Sequence, residues 1–269
     1  MSNHAKSTSW SSDLRTIQKK NPNELTKRPH NFPRKNIARF ADSDGKVQVN
    51  WNDGQKPFRT KPNNPIFTLD RLWDQRTEEL SNVKFERPFQ VMADDLVSRD
   101  ATTLSTSETI VAAKMFALWR YRSWCSKNPS TDQHLSCLKV PSAPATGWTQ
   151  DEGEQLEKKG AIITLHETTQ DEEGYVSSFV PGHMTVWPKL NAFVCRFASE
   201  HVNRKWGMLV SQYDEIVIPD ICLSIGLLPL NPSRCIEIDA KDQTLTELES
   251  QNLRKILEEN SDKYWISKR

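Results

Sequence analysis

The chain has 269 residues and a formal net charge of +1, so it is long enough to bury a sizeable core, as one large domain or two small ones. Its five cysteines form no CxxC pair, which argues against a disulfide framework or a structural zinc site and fits a reducing cytoplasm. No apolar stretch follows a basic leader, and the most apolar region contains Asp220 and two prolines, so neither a secretory signal nor a membrane span is predicted.

Charge is divided unevenly along the chain. Residues 1–62 hold 13 Lys and Arg against 5 Asp and Glu, a net of +8, whereas the remainder has a net of −7. A basic front of this kind favours contact with a polyanion or an acidic protein, and it can equally dock onto the acidic body of its own chain. Residues 1–26 are rich in Ser, Asn and Lys without periodicity, which predicts a flexible basic arm.

The first half of the chain alternates between strand and helix patterns. A short helix is predicted at 34–41, followed by a hairpin around the turn Asn52-Asp53-Gly54. Helical periodicity then covers about 72–80 and 84–98. A capping box at Ser105 begins a central helix that reaches about Cys125, with Arg120 and Arg122 at its end, where cations suit the helix dipole.

The second half of the chain ends in strands. A helix is predicted at about 186–203, and it is followed by strands at 206–211, 215–219, 223–229 and 234–239, a helix at 243–259 and a strand at 263–267. Helices in the middle and strands near both ends favour an α+β fold rather than alternating βαβ units. We therefore predict one domain over 27–269, with antiparallel or mixed strands from the N-terminal hairpin and the C-terminal region.

A first candidate site lies where the arm meets the domain. His30 directly precedes the helix that Pro33 opens, and Arg34, Lys35 and Arg39 decorate the faces of that helix that are not apolar. An imidazole and three cations near a helix start suit the binding of a phosphate or carboxylate. The structural alternative is that His30 bonds a buried backbone group and helps to close the fold.

Aromatic residues are interleaved with the cations of this region. Trp10, Phe32, Trp51 and Phe58 stand among its Lys and Arg residues, with His30. Because cations follow phosphates while aromatic rings stack on unpaired bases, this mixture favours single-stranded nucleic acid over a duplex. The alternative is that Phe32, Trp51 and Phe58 pack in the core and leave only the charges exposed.

A second candidate site lies in the C-terminal strands. Asp220 follows a strand, and Asp239-Ala-Lys241 comes next with 18 residues between the two aspartates, the spacing of PD-(D/E)xK nucleases. In such a site two acidic groups hold Mg²⁺ and the lysine steadies the attacked phosphate or the water. Glu237, Asp239 and Lys241 would share one strand face, which is also an ordinary polar face of an amphipathic strand.

Several motifs together resemble a bacterial and phage family, the HxxP family called domain of unknown function 4238. The likeness is carried by His-Asn-Phe-Pro at 30–33, Ile37 and Phe40, the strand at 206–211 with Asp214 after it, Pro-Leu-Asn-Pro at 229–232, and the closing segment 252–267. It covers about 28–100 and 184–267. The resemblance adds Asp214 to the candidate binding residues.

The resemblance also implies a function. Members of the family stand as solitary genes in bacteria and prophages, which favours a cytoplasmic phage-defence or exclusion factor that binds nucleic acid or a phage protein bound to it. No cofactor is predicted, except Mg²⁺ under the alternative of a metal-dependent nuclease. A third alternative is an intracellular protein-interaction module without a nucleic-acid role.

Overall fold

The chain folds into α-helices and β-strands that belong to separate layers. The computed structural model describes residues 26, 29–69, 72–128, 130, 133–139, 177–180, 182–213, 215–222 and 226–268. Its helices are α1 (Arg34–Ala38), α2 (Gln75–Ser81), α3 (Arg87–Ser98), α4 (Thr106–Lys127), α5 (Val186–His201) and α6 (Glu247–Glu259). Its strands are β1 (Val47–Trp51), β2 (Phe58–Thr60), β3 (Gln133–Lys139), β4 (Ser177–Val180), β5 (Trp206–Ser211), β6 (Ile218–Pro219), β7 (Leu227–Asn231), β8 (Arg234–Ile238), β9 (Gln243–Leu245) and β10 (Tyr264–Ser267). The α+β prediction is confirmed.

One sheet joins the two ends of the described chain. Its strand order is β2–β1–β10–β6, and every neighbouring pair is antiparallel. Val49 of the N-terminal hairpin lies opposite Ile266, and both side chains are buried. The prediction that the N-terminal hairpin and the C-terminal region both contribute antiparallel strands is therefore confirmed, and here they share one sheet.

A second sheet is built from the C-terminal region. Its order is β7–β8–β5–β9, antiparallel except for the β5–β9 pair. Gly207 in β5 is required by close packing, because a Cβ atom there would lie 2.6 Å from the backbone carbonyl of Lys241. Strands β3 and β4 form a separate two-stranded sheet.

Helix α4 lies in the core and packs against α3, α5 and β7. The predicted capping box is present: the Ser105 hydroxyl accepts from the Glu108 N–H, and the Glu108 carboxylate accepts from the Ser105 N–H. The helix ends at Lys127, and Arg122, which was predicted to suit the dipole at the helix end, is buried instead, with a side chain only 1% exposed. Within the described ranges no helix has both the length and the apolar character needed to cross a bilayer.

A single turn of π-helix, Asn82–Glu86, joins α2 to α3, so helical structure runs on from Gln75 to Ser98. The sequence pattern had predicted two separate helices there. The extra residue in the turn places Phe85 in the core and directs Glu86 toward α4, where it meets Arg122.

Candidate nucleic-acid interface

The stretch from His30 to Phe40 connects the helical layer, which consists of α2, the π-helical turn, α3, α4 and α5, to the first sheet. The Asn31 side chain donates a hydrogen bond to the backbone carbonyl of Asp220, at the end of β6. The Phe32 ring packs on Trp119 of α4 with 4.4 Å between ring centroids. Both Asn31 and Phe32 are buried, so the start of the HxxP motif serves the fold directly.

Asn36 extends these connections to the second sheet. It is fully buried, its amide donates to the Pro229 carbonyl at 3.4 Å, and its oxygen accepts from Gln90 of α3. Arg39 donates to the side chain of the same Gln90 at 2.8 Å. Helix α1 therefore joins α3 to β7 through buried polar contacts, which places its outer face at a fixed position.

His30 is partly buried behind this face. The backbone of Pro62 lies within hydrogen-bonding reach of its ring and raises the pKa of His30. Its Nε2 atom is buried without a partner in the described chain. Burial lowers the pKa of His30, the charges of Arg34 and Arg122 act in the same direction, and the Pro62 bond opposes them. Burial therefore favours the neutral imidazole over the imidazolium at this position.

The three cations predicted to surround His30 divide into two groups. Arg39 and Lys35 both pair with Asp94 of α3, but the Arg39 side chain is only 11% exposed whereas that of Lys35 is 58% exposed. Arg39 thus belongs to the network that fixes α1, and Arg34 and Lys35 face outward. Helix α1 has only five residues, so its macrodipole adds little to anion binding.

A groove with a volume of about 430 Å³ opens between α1 and the chain that follows β2. It is lined by Arg34, Lys35, Gly45, Lys61, Pro62 and Asn63, together with Ala38. Three of these side chains are cations, and all three are exposed. Lys61 was not predicted as a site residue, because it is distant from α1 along the sequence and reaches the groove only through the hairpin.

Both walls of the groove are fixed by local hydrogen bonds. On one side, Asp42 Oδ1 accepts from the N–H groups of Asp44 at 2.8 Å and Lys46 at 3.2 Å. On the other side, the Asn64 N–H donates to the Lys61 carbonyl at 3.0 Å, and Asn64 Oδ1 accepts from the Ile66 N–H. The groove is therefore formed before any ligand arrives, which lowers the entropic cost of binding.

The aromatic residues of this region are used in packing. Phe32 is buried against Trp119, and the rings of Trp51 and Phe58 stack on each other at 6.2 Å between centroids. Trp10 and the predicted arm at 1–26 lie outside the described residues, apart from Thr26. Asp214 also lies outside them. The groove consequently presents charges, and no aromatic ring belongs to its described lining.

Asp220, the first residue of the nuclease-like trio, supports the first sheet. Its two carboxylate oxygens accept from the backbone N–H groups of Asp262 at 2.7 Å and Lys263 at 2.9 Å, just before β10. Burial raises the pKa of Asp220, while these two N–H groups act in the opposite direction. Both oxygens already have partners, so the carboxylate closes a turn.

Asp239 and Lys241 stand at the second sheet instead. Strand β8 ends at Ile238, and Asp239 has a positive φ of 65°, so the predicted alternation of Glu237, Asp239 and Lys241 on one strand face stops there. The Asp239 carboxylate pairs with Arg204 at the surface. The structure thus places Asp220 and Asp239 after strands of two different sheets, and no cluster of three metal-binding side chains occurs among the described residues.

A buried ion cluster that the sequence pattern did not predict lies inside the helical layer. Arg122 Nη2 is 3.1 Å from Glu78 Oε2 and 2.5 Å from Glu86 Oε1, and the guanidinium lies 5.4 Å from the centre of the Trp73 ring. Burial raises the pKa of Glu86, and the charge of Arg122 opposes that rise. The cluster joins α2, the π-helical turn and α4.

Replacing Asp220 by alanine is expected to lower the free energy of unfolding by about 1–3 kcal/mol, because the N–H groups of Asp262 and Lys263 lose their charged acceptor. Asp239→Asn is the matched control, since it removes only a surface ion pair worth about 0–1 kcal/mol and asparagine tolerates a positive φ. Urea denaturation of both variants provides the measurement. Equal losses for the two would show that the Asp220 turn does not contribute as described.

Comparison of the chain with protein-family models, curated proteins and solved structures finds no match. The resemblance to the HxxP family therefore stays a prediction. What the fold and the site define is an α+β protein with a preformed, cation-lined groove beside its N-terminal hairpin.

Proposed function

We propose that the protein binds nucleic acid and that Arg34, Lys35 and Lys61 in the groove contact the phosphates of the nucleic acid. The observation that carries this proposal is the convergence of three exposed cations on one preformed cavity. Lysine and arginine that meet phosphates release counterions, which supplies sequence-independent affinity. In keeping with the resemblance to the HxxP family, we place this activity in the cytoplasm, in defence against phage or exclusion of phage.

The chemistry of the groove favours phosphates over bases as the recognised groups. Base readout needs stacking rings or amides aimed at base edges, and Asn63 supplies the only amide side chain among the residues that line the groove. A preference for single strands was predicted from the aromatic residues of this region. Of these, Phe32, Trp51 and Phe58 lie in the described part of the chain, and all three pack against other rings. A backbone-reading groove accepts single and double strands alike, so the ligand is defined here by its phosphates.

The alternative functions have less support from the geometry. A PD-(D/E)xK nuclease needs carboxylates that converge on one metal ion, whereas those of Asp220 and Asp239 are engaged by other groups. A protein-interaction module with no nucleic-acid role would have to meet the three groove cations with the carboxylates of an acidic partner. Binding and cleavage assays separate these functions.

The proposal predicts that binding weakens steeply with salt. Purified protein is titrated against labelled single- and double-stranded DNA and RNA from 50 to 300 mM KCl, and affinity is read by fluorescence anisotropy. The three groove cations neutralise at most three phosphates, which sets an upper bound of about 2–3 on the slope of log Kd against log salt. Absence of binding at 50 mM KCl would refute the proposal.

The same samples, incubated with and without Mg²⁺, are examined on denaturing gels. Intact nucleic acid is expected in both cases. Mg²⁺-dependent cleavage that Asp239→Asn abolishes would instead establish the nuclease.

A further inference from the structure

We infer that the groove binds a terminal phosphate monoester, the phosphorylated end of a nucleic-acid strand. This inference rests on the proposed function and goes beyond it by naming which phosphate of the strand is held. It is argued from the size of the groove, from its charge and from the positions of its cations.

The size of the groove suits one nucleotide rather than a passing strand. Its volume of about 430 Å³ lies within the range of small-ligand pockets, about 300–1,000 Å³. Surfaces that follow a single strand extend further, over about 4–16 nucleotides for one OB fold. A site of this size holds one phosphate group with its sugar, and a strand end supplies that group without bending the rest of the chain.

The charge of the groove also matches a monoester better than a diester. A terminal phosphate carries a charge of about −1.5 to −2 at pH 7 and three strong acceptor oxygens, whereas an internal phosphate carries one negative charge. The described residues that line the groove include three cations and no carboxylate. Lys35 also contacts Asp94, but an ammonium has three donors, so two remain for a ligand.

The cations come from two segments that face each other across the groove. Arg34 and Lys35 extend from α1, which buried Asn36 fixes to the second sheet, and Lys61 extends from the turn after β2. The guanidinium of Arg34 offers a planar fork of donors, and each lysine offers a point charge. A terminal phosphate has three free oxygens, so it meets all three cations at once. An internal phosphate has only two free oxygens and meets them less completely.

The test compares three labelled 12-nucleotide DNA strands that differ only at their ends. One carries a 5′-phosphate, one a 3′-phosphate, and one hydroxyl groups at both ends, and the label is internal. We expect at least one phosphorylated strand to bind about tenfold more tightly than the hydroxyl strand at 150 mM KCl. Lys61→Gln should reduce that ratio toward one, and Arg196→Gln, at an exposed site on α5, should leave it unchanged.

The outcomes separate this inference from the proposed function. Equal, salt-dependent affinities for all three strands would overturn the inference and leave nucleic-acid binding intact. No binding of any strand would overturn both. The inference would also be overturned if a nucleoside 5′-monophosphate displaced the phosphorylated strand at a concentration equal to the Kd of that strand. The free nucleotide would then bind as tightly as the strand and would be the ligand.

Discussion

Replacing Arg122 by methionine is expected to lower the free energy of unfolding by about 3–5 kcal/mol, because it leaves two carboxylates in the helical layer without their cation. Glu78 and Glu86 both contact the Arg122 guanidinium, and the arginine side chain is only 1% exposed. Methionine fills much of the same volume, so the loss of stability reflects the two unpaired carboxylates more than a cavity. Guanidinium chloride unfolding followed by circular dichroism measures the effect.

Two further variants interpret that result. Arg120→Met on the same helix removes an exposed cation and is expected to change stability by less than about 0.5 kcal/mol. Adding Glu78→Gln and Glu86→Gln to Arg122→Met should restore part of the lost stability, because no unpaired buried charge then remains. If Arg122→Met unfolds at the same denaturant concentration as the wild type, the cluster does not hold α2 to α4.

Removing the three groove cations together is expected to weaken nucleic-acid binding by roughly 100-fold at 0.1 M salt. The change is Arg34→Gln, Lys35→Gln and Lys61→Gln, and each lost phosphate contact lowers the salt slope by about one. The thermal stability of the variant should stay close to that of the wild type, because all three side chains are exposed. Anisotropy titrations over a salt series measure the affinity and the slope.

A variant of equal charge controls for long-range electrostatics. Arg120→Gln, Arg196→Gln and Lys255→Gln lower the net charge by the same amount at exposed positions on three other helices. This variant should bind almost as well as the wild type. Equal losses in the two triple variants would show that affinity depends on net charge alone and that the groove is not the interface.

The fold was predictable where local chemistry decides it. Alternating Val47, Val49 and Trp51 before an Asn-Asp-Gly turn predicted the hairpin, and Ser105 with Glu108 predicted the start of α4. Arg122 was not predictable in this way. Arg122 stands three residues after buried Trp119, on the apolar stripe of the helix. This spacing was the one feature of the sequence that indicated its burial. One of its two partners, Glu86, comes from a π-helical turn, which residue periodicity does not predict.

The candidate site was predictable only in part. Arg34 and Lys35 were named from the sequence, and both line the groove. Arg39 is turned inward because Asp94 and Gln90 of α3 lie beside it. Lys61 lines the groove because tertiary packing brings the chain that follows β2 close to α1. Both differences arise from contacts between distant segments, for which a single sequence gives no local pattern.

The pairing of β1 with β10 also has a consequence during translation. Trp51 and its partner Tyr264 are separated by more than 200 residues. At about 5–20 residues per second, the ribosome needs roughly 10–40 s to make that interval. For all of that time one edge of β1 lacks its neighbour and is open to pairing with other nascent chains. Because of this strand order, we expect the newly made protein to aggregate more slowly when chaperones are abundant or when fewer copies of the chain are synthesised at the same time.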